Sequence, residues 1–246
     1  MSIMEDVKKM VYRPKHLTID EIKSGCITLY GENNEETKLC MMQEEFRQGI
    51  ETIQDLTPSV TFYGSTRIGE GTPEYEKVRK LAYRISKELG YNVLSGGGPG
   101  IMEAANRGAF EAGGKSVGLT IRLPNEQVTN KYVNNEIPFY FFFARQVAMS
   151  YSTEVCIFGP GGFGTLDELF EMLTLQQTGK IGRIPVILFG VEFWTPIEKI
   201  IESVLEDKYK TISLSDEKLY TITDDEDQIL KIISEARLRD GLDALQ

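Results

Sequence analysis

The sequence predicts an α/β fold built on a doubly wound, mostly parallel sheet with helices on both faces. From residue 59 onward, short apolar runs alternate with segments able to form amphipathic helices, which is the pattern of repeated strand-helix-strand units. The chain has 246 residues, of which 41% are hydrophobic. This length and composition suit one large core with an appendage.

Six strands are predicted, each separated from the next by a segment that can form a helix. They span residues 60–63, 92–94, 116–119, 155–158, 185–189 and 219–222. Helices are predicted at 72–89 and from about Asp224 and Asp225, whose carboxylates favour a helix N-terminus. Residues 1–57 lack strand alternation and contain a helix-like stretch at 41–56. We therefore predict an N-terminal extension, 1–57, packed on a main domain, 58–246.

Composition and charge exclude several classes of function. The net charge of -10 repels nucleic acid and anionic membranes. There is no apolar run of membrane-spanning or signal-peptide type. We therefore expect a cytoplasmic protein without a nucleic-acid or membrane partner.

Cysteine and histidine usage limits the possible chemistry. Cys26, Cys40 and Cys156 are odd in number and lack CxxC spacing, so neither a disulfide framework nor a zinc site is indicated, and Cys156 resembles a small core residue. The single histidine, His16, nearly excludes a histidine base or a multi-histidine metal site. Catalysis would have to use carboxylates, arginine or tyrosine, and we expect neither a metal nor a cofactor.

Two glycine-rich segments each follow a predicted strand and precede a helical stretch. The first glycine loop is SGGGPG at 95–100, and the second is PGGFGT at 160–165. Glycines let the backbone approach a ligand closely, and a helix N-terminus offers free N–H groups to an anion. One such loop could be a tight turn without a ligand, but two at the carboxyl ends of parallel strands converge on one crevice. Neither carries the Walker lysine or the dinucleotide fingerprint, which favours a mononucleotide.

Charged residues near the second loop are candidates for chemistry. Asp167 and Glu168 are expected in the first turn of the following helix, where the dipole should keep carboxylates ionised. Such a carboxylate could act as a base or stabilise a cation, although Asp167 is better explained as complementing the dipole. Arg145 follows an aromatic run at 139–143 and needs a structural carboxylate, a bound phosphate or a stacking partner. The aromatic run itself is more typical of a core or subunit interface.

These motifs together resemble the LOG family, nucleoside 5′-monophosphate phosphoribohydrolases that include cytokinin-activating enzymes. The resemblance covers roughly residues 59–206 and rests on YGS at 63–65, the first glycine loop and PGGFGTLDE at 160–168, which fits the family motif PGGxGTxxE. Arg145, fifteen residues before Pro160, and Glu168 stand where the family carries its catalytic arginine and glutamate.

The resemblance implies a Rossmann-like nucleotide-binding catalytic domain that hydrolyses the N-glycosidic bond of an AMP-like or cytokinin riboside monophosphate. The products would be the free base and ribose 5-phosphate. Arg145 and Glu168 would be catalytic, and a larger set would bind substrate: Gly64, Ser65, Gly96, Gly97, Gly98, Met102, Gln146, Gly161, Gly162, Gly164 and Thr165. Many members have lysine where this chain has Gln146, which removes a positive charge near the expected phosphate site.

The resemblance is to the longer bacterial members, and it also implies a homodimer or larger homo-oligomer. Two alternatives stay open. A related fold serves as a non-enzymatic nucleotide or molybdenum-cofactor carrier. The family's earlier label, lysine decarboxylase, would require pyridoxal phosphate on a lysine, and no lysine lies in a recognisable cofactor motif.

Overall fold

The structure is a computed structural model that describes residues 17–32, 34–54, 56–122, 129–151, 153–213 and 216–238. His16 lies outside the described residues.

A seven-stranded sheet, parallel at every pairing, forms the centre of the molecule. The strand order is β4-β3-β2-β1-β5-β6-β7, so the chain winds outward in both directions from the neighbouring β1 and β5. Loops that leave the carboxyl ends of these two strands therefore border one crevice. The strands are β1 (Ser59–Tyr63), β2 (Asn92–Ser95), β3 (Ser116–Ile121), β4 (Asn135–Phe139), β5 (Val155–Phe158), β6 (Val186–Leu188) and β7 (Thr221–Ile222).

The doubly wound parallel sheet confirms the predicted fold class, but the number of strands was wrong by one. The six predicted strands all form, with small shifts at their ends, whereas the edge strand β4 was missed. Its sequence, NEIPF, contains Glu136 and Pro138. Charge and proline are tolerated at a sheet edge and hide the apolar pattern of a strand.

Helices cover both faces of the sheet. They are α1 (Ile19–Tyr30), α2 (Glu35–Gln54), α3 (Pro73–Arg84), α4 (Ile101–Glu111), α5 (Phe142–Tyr151), α6 (Phe163–Gln177), α7 (Val191–Ile200) and α8 (Glu226–Glu235). Helices α3 and α7 continue as π-helical segments, Ile85–Leu89 and Ile201–Lys208, and a 3₁₀ turn spans Asp216–Leu219. As the acidic pattern predicted, a carboxylate begins α8, where Asp225 accepts hydrogen bonds from the backbone of Asp227 and Gln228. No described helix has both the length and the hydrophobicity needed to cross a membrane.

The alternation of side chains along each strand divides the core into two layers. On β5, Val155 and Ile157 pack in the layer beneath α3, α4 and α8, while Cys156 and Phe158 pack in the layer beneath α5, α6 and α7. All four side chains are fully buried. Cys156 is a buried core cysteine that takes no part in the Cys26–Cys40 disulfide described below, and its place in the core is as predicted.

The N-terminal extension contains a helical hairpin formed by α1 and α2. A disulfide joins Cys26 on α1 to Cys40 on α2, with their Cα atoms 5.8 Å apart. The cysteine count and spacing indicated no disulfide framework, and this single disulfide was not foreseen. An odd cysteine count excludes a fully paired framework, but it does not exclude one bridge between helices that happen to face each other. The hairpin also begins earlier than the predicted helical stretch, because α1 was not foreseen.

Candidate functional site

Three loops meet at the carboxyl edge of the sheet. The backbone N–H of Ser65, after β1, donates to the carbonyl of Pro160, after β5, at 3.0 Å, and Ile101 N–H donates to the carbonyl of Ser65 at 2.9 Å. Gly64 permits this approach, since a Cβ there would lie 2.3 Å from Cγ2 of Ile101. The backbone thus joins the YGS segment to both glycine loops.

A cavity of about 590 Å³ opens where these loops meet. This volume falls within the range of small-molecule sites. Its walls combine an arginine-glutamate pair, a helix N-terminus and several apolar side chains. The lining residues are Gly64, Ser65, Thr66, Arg67, Met102, Ile121, Phe142, Arg145, Gly162, Phe163, Gly164, Thr165, Leu166 and Glu168.

The second glycine loop presents the N-terminus of α6 to the cavity. Gly162 is the N-cap and α6 begins at Phe163, inside the motif. A Cβ added at Gly162 or Gly164 would meet no atom within 4 Å, so these two positions face open space. The first-turn N–H groups of a helix have no intrahelical acceptor and carry the positive end of its dipole. This wall is therefore suited to an anion such as a phosphate.

Because α6 begins at Phe163, Asp167 and Glu168 lie in its second turn and not in the first, as had been predicted. The helix dipole weakens beyond the first turn. Burial, opposed by the charge of Arg145, raises the pKa of Glu168 to about 7. The prediction of a carboxylate kept ionised by the helix dipole was therefore wrong: close to neutral pH, Glu168 exists in both protonation states.

Arg145 reaches Glu168 from the neighbouring helix α5. Its Nη2 lies 3.4 Å from Oε1 of Glu168, and the two side chains are 15% and 20% exposed. The guanidinium also lies 5.4 Å from the ring centroid of Phe142. Its Nε is buried and has no hydrogen-bond partner among the described residues. A carboxylate and an aromatic ring thus both contact Arg145, while its buried Nε–H has no acceptor among the described residues.

The first glycine loop is bonded inward, in contrast to the second. Gly97 N–H donates to Oγ of Ser95 at 3.0 Å, and Nδ2 of Asn130 donates to the carbonyls of Gly97 and Gly98. Gly96, Gly97 and Gly98 are not among the residues lining the cavity. From this loop and its helix, only Met102 reaches the wall.

Two other predicted binding residues lie outside the cavity wall. Gln146 points to the neighbouring helix, where its Nε2 lies 3.3 Å from Oδ2 of Asp167. Gly161 packs against Thr165 within the second glycine loop, since a Cβ there would be 2.2 Å from Oγ1 of Thr165. The other predicted site residues all line the cavity, namely Gly64, Ser65, Met102, Arg145, Gly162, Gly164, Thr165 and Glu168.

Sequence reasoning missed Arg67, a second arginine among the residues that line the cavity. Its position could have been inferred, because residues that closely follow a strand of a parallel sheet lie at the carboxyl edge. The backbone N–H of Arg67 donates to Oγ of Ser65 at 3.0 Å, which fixes the turn that presents the side chain. The aromatic run is divided: Phe139 is core, and Phe142 lines the cavity.

The comparison with known families decides the relationship. The family model described as possible lysine decarboxylase matches residues 102–233. The chain belongs to this family, the LOG family. The match includes α5, the second glycine loop and Glu168.

This chain also resembles individual proteins at modest identity. An uncharacterized protein of Archaeoglobus fulgidus is 30% identical over 139 residues, which are 54% of this chain and 89% of that protein. A cytokinin riboside 5′-monophosphate phosphoribohydrolase of Arabidopsis thaliana is 24% identical over 176 residues, covering 71% of this chain and 81% of the plant protein.

A solved structure supports the fold. The molybdenum cofactor binding protein of Rippkaea orientalis superposes with a TM-score of 0.54 at 20% identity, over 72% of this chain and 95% of that protein. At this identity the likeness concerns the fold alone.

Proposed function

We propose that this protein hydrolyses the N-glycosidic bond of a nucleoside 5′-monophosphate, releasing the free base and ribose 5-phosphate. The observation that carries the proposal is the shielded Arg145–Glu168 pair on the wall of the cavity that the N-terminus of α6 also borders. A phosphate at the helix N-terminus would set the ribose beside the carboxylate. Relatives named as phosphoribohydrolases support the same reaction class.

Glu168 would carry the central chemical role. As the bond between C1′ and the base breaks, positive charge develops on the ribose ring, and a nearby carboxylate stabilises it. The same carboxylate would take a proton from the attacking water, whose oxygen bonds to C1′. The base would leave with the electron pair of the broken bond and take a proton from solvent, to which Glu168 then returns its own. A pKa of about 7 suits a group that exchanges protons near neutral pH.

Two arginines and the apolar wall would orient the substrate. Arg145, with its unused Nε, would hold the ribose or phosphate, and Arg67 would neutralise phosphate charge from the opposite loop. Arg67 would thereby supply the positive charge that is missing at Gln146. The apolar side chains of Met102, Ile121 and Phe142 offer a surface for the base.

The alternative functions make different demands on the same cavity. A carrier of a nucleotide or molybdenum cofactor would use the glycine loop but would not need a carboxylate of raised pKa beside an arginine. A lysine decarboxylase would need a lysine to bind pyridoxal phosphate, and no lysine lines this cavity among the described residues.

The proposal is tested by separate incubation with AMP, GMP, CMP, UMP, IMP and N6-isopentenyl AMP, followed by chromatographic detection of base and ribose 5-phosphate. We expect Glu168→Gln to lower kcat by about 10³-fold, because it removes the charge and the proton acceptor together. Nucleotide binding should change little.

Asp167→Asn is the matched control, since Asp167 is an exposed neighbour on the same helix. It should retain kcat within about threefold of the wild-type value, as substitutions at exposed sites generally perturb little. Base release that is equal in wild type and Glu168→Gln would overturn the role of Glu168. No release by a folded protein that binds nucleotide would favour the carrier.

A further inference from the structure

The helix that carries Arg145 begins at a turn with no side-chain cap of its own. Arg145 N–H donates to the carbonyl of Phe141 at 3.2 Å, which makes Phe141 the N-cap residue of α5. Helices prefer Ser, Thr, Asp or Asn at this place, because their side chains accept hydrogen bonds from free N–H groups. Phenylalanine offers no acceptor to these groups, so the start of α5 is not fixed by the side chain of its own N-cap residue.

Glu45, on helix α2 of the N-terminal hairpin, instead binds the two backbone N–H groups that immediately precede α5. Its Oε1 accepts from Tyr140 N–H at 2.8 Å, and its Oε2 accepts from Phe141 N–H at 3.0 Å. The side chain is 2% exposed. One carboxylate therefore binds both N–H groups that lead into α5, at the end where the helix dipole favours negative charge.

Close packing extends the contact along α5. A Cβ at Gly49 would lie 3.3 Å from Cβ of Ala148, so the backbone of α2 approaches α5 closely one turn after Glu45. The rings of Phe46 and Phe143 lie 5.8 Å apart on the same interface. The Cys26–Cys40 disulfide ties α2 to α1 five residues before Glu45.

We propose that Glu45 is a positioning residue of the active site, through which the N-terminal hairpin holds α5 and sets Arg145 against Glu168. The inference rests on the proposed function, which gives Arg145 its role. Arg145 lies about one helical turn beyond the turn that Glu45 holds. A shift at the start of α5 therefore moves the guanidinium relative to the carboxylate 3.4 Å away. Misplacement of a catalytic group by about 1 Å can cost about 100-fold in rate.

The chain provides a matched control for this role. Gln48, also on α2 and 5% exposed, makes two hydrogen bonds to the backbone of Leu17, at 3.1 and 2.8 Å. Gln48→Ala removes two partly buried hydrogen bonds from the same hairpin without removing a bond to α5 or to the turn before it. Glu45→Ala removes two hydrogen bonds as well, but both of them go to the turn that leads into α5.

The experiment compares Glu45→Ala, Glu45→Gln and Gln48→Ala with wild type in thermal stability, in kcat and KM for base release, and in amide hydrogen exchange of residues 140–145. We expect a similar loss of stability for the two alanine variants. Only Glu45→Ala should lower kcat about 100-fold, with KM within about threefold. Glu45→Gln keeps the shape and one acceptor, so it should lose about 10-fold and serves as the test if the alanine variant does not fold.

Hydrogen exchange separates failure of this inference from failure of the proposed function. Equal losses of kcat in Glu45→Ala and Gln48→Ala, or an unchanged kcat in both Glu45 variants, would overturn the positioning role. If wild type releases no base from any nucleotide, the proposed function fails, and hydrogen exchange alone then tests whether Glu45 holds the start of α5. Exchange at 140–145 that is at least about tenfold faster in Glu45→Ala than in Gln48→Ala would support the positioning role of Glu45, and equal exchange would reject it.

Discussion

The two glycine loops follow β2 and β5, the strands on either side of β1, and differ in where their backbone groups point. In the first loop, Ser95 and Asn130 take up the N–H of Gly97 and the carbonyls of Gly97 and Gly98. In the second, the backbone at Gly162 and Gly164 faces the cavity. Sequence alone makes the two look equivalent. The difference teaches that two glycine-rich turns of similar sequence can differ in whether their backbone stays available to a ligand.

The largest expected effect comes from placing negative charge in the second loop. Gly164→Asp adds a carboxylate where a side chain has open space and where a helix N-terminus accepts it well, so the melting temperature should not fall. The same charge would repel the phosphate that the proposed function places at this loop. We expect the dissociation constant for AMP, measured by calorimetry, to rise about 100-fold.

Gly164→Asn is the control for this variant because it has the same shape without the charge. It should weaken AMP binding by less than about tenfold, since only steric and ordering costs remain. Equal weakening by asparagine and aspartate would mean that the loop does not bind the phosphate electrostatically.

A second prediction concerns the effect of the buried Glu168 carboxylate on the free energy of unfolding. Burial raises the pKa of Glu168 to about 7, so the folded state binds more protons than the unfolded state between about pH 4.5 and 7. Stability from this group is therefore lost as pH rises through that window. Relative to wild type, Glu168→Gln should be more stable by about 2 kcal/mol at pH 8 and nearly unchanged at pH 5.

Denaturant unfolding at the two pH values measures this difference. Asp167→Asn, which alters an exposed carboxylate on the same helix, should change the free energy of unfolding by less than about 0.5 kcal/mol at both. A pH-independent difference for Glu168→Gln would show that the carboxylate is not held in a shielded environment.

The start of α6 explains why the chemistry of Glu168 could be predicted only in part. The motif places the glutamate after a glycine loop, and glycines were interpreted as part of the turn. In the structure the helix begins at Phe163 within the motif, because glycine is acceptable in a first turn that faces open space. That shift moves the carboxylate to the second turn, where burial and not the dipole sets its pKa. Residue identity was readable from sequence, and its electrostatic environment was not.

The N-terminal extension marks a different limit of sequence. Apolar periodicity revealed most strands and helices because each must present one face to the core. The Cys26–Cys40 bridge and the bond from Glu45 to the turn before α5 depend on which surfaces of distant segments meet. Neither leaves a local pattern. The assignment of Arg145 and Glu168 as catalytic rests on motif spacing and stays a prediction.

The smallest expected effect tests the first loop, where loss of a hydrogen bond should reduce stability and not binding. Ser95→Ala removes the acceptor of Gly97 N–H and the donor to Oδ1 of Asn106, inside a site that is fully buried. We expect a loss of about 1–2 kcal/mol in the free energy of unfolding, because a buried N–H is left unpaired. KM for AMP should stay within about threefold.

Thr61→Val offers the contrasting control, since the buried Thr61 hydroxyl on β1 has no hydrogen-bond partner among the described residues. Its replacement should leave stability equal or higher, because no bond is lost and an unpaired hydroxyl is removed. If Ser95→Ala raised KM tenfold while leaving stability unchanged, the first loop would be a binding element after all. The two glycine loops would then divide the ligand between them, and inward bonding would no longer distinguish a structural turn from a site.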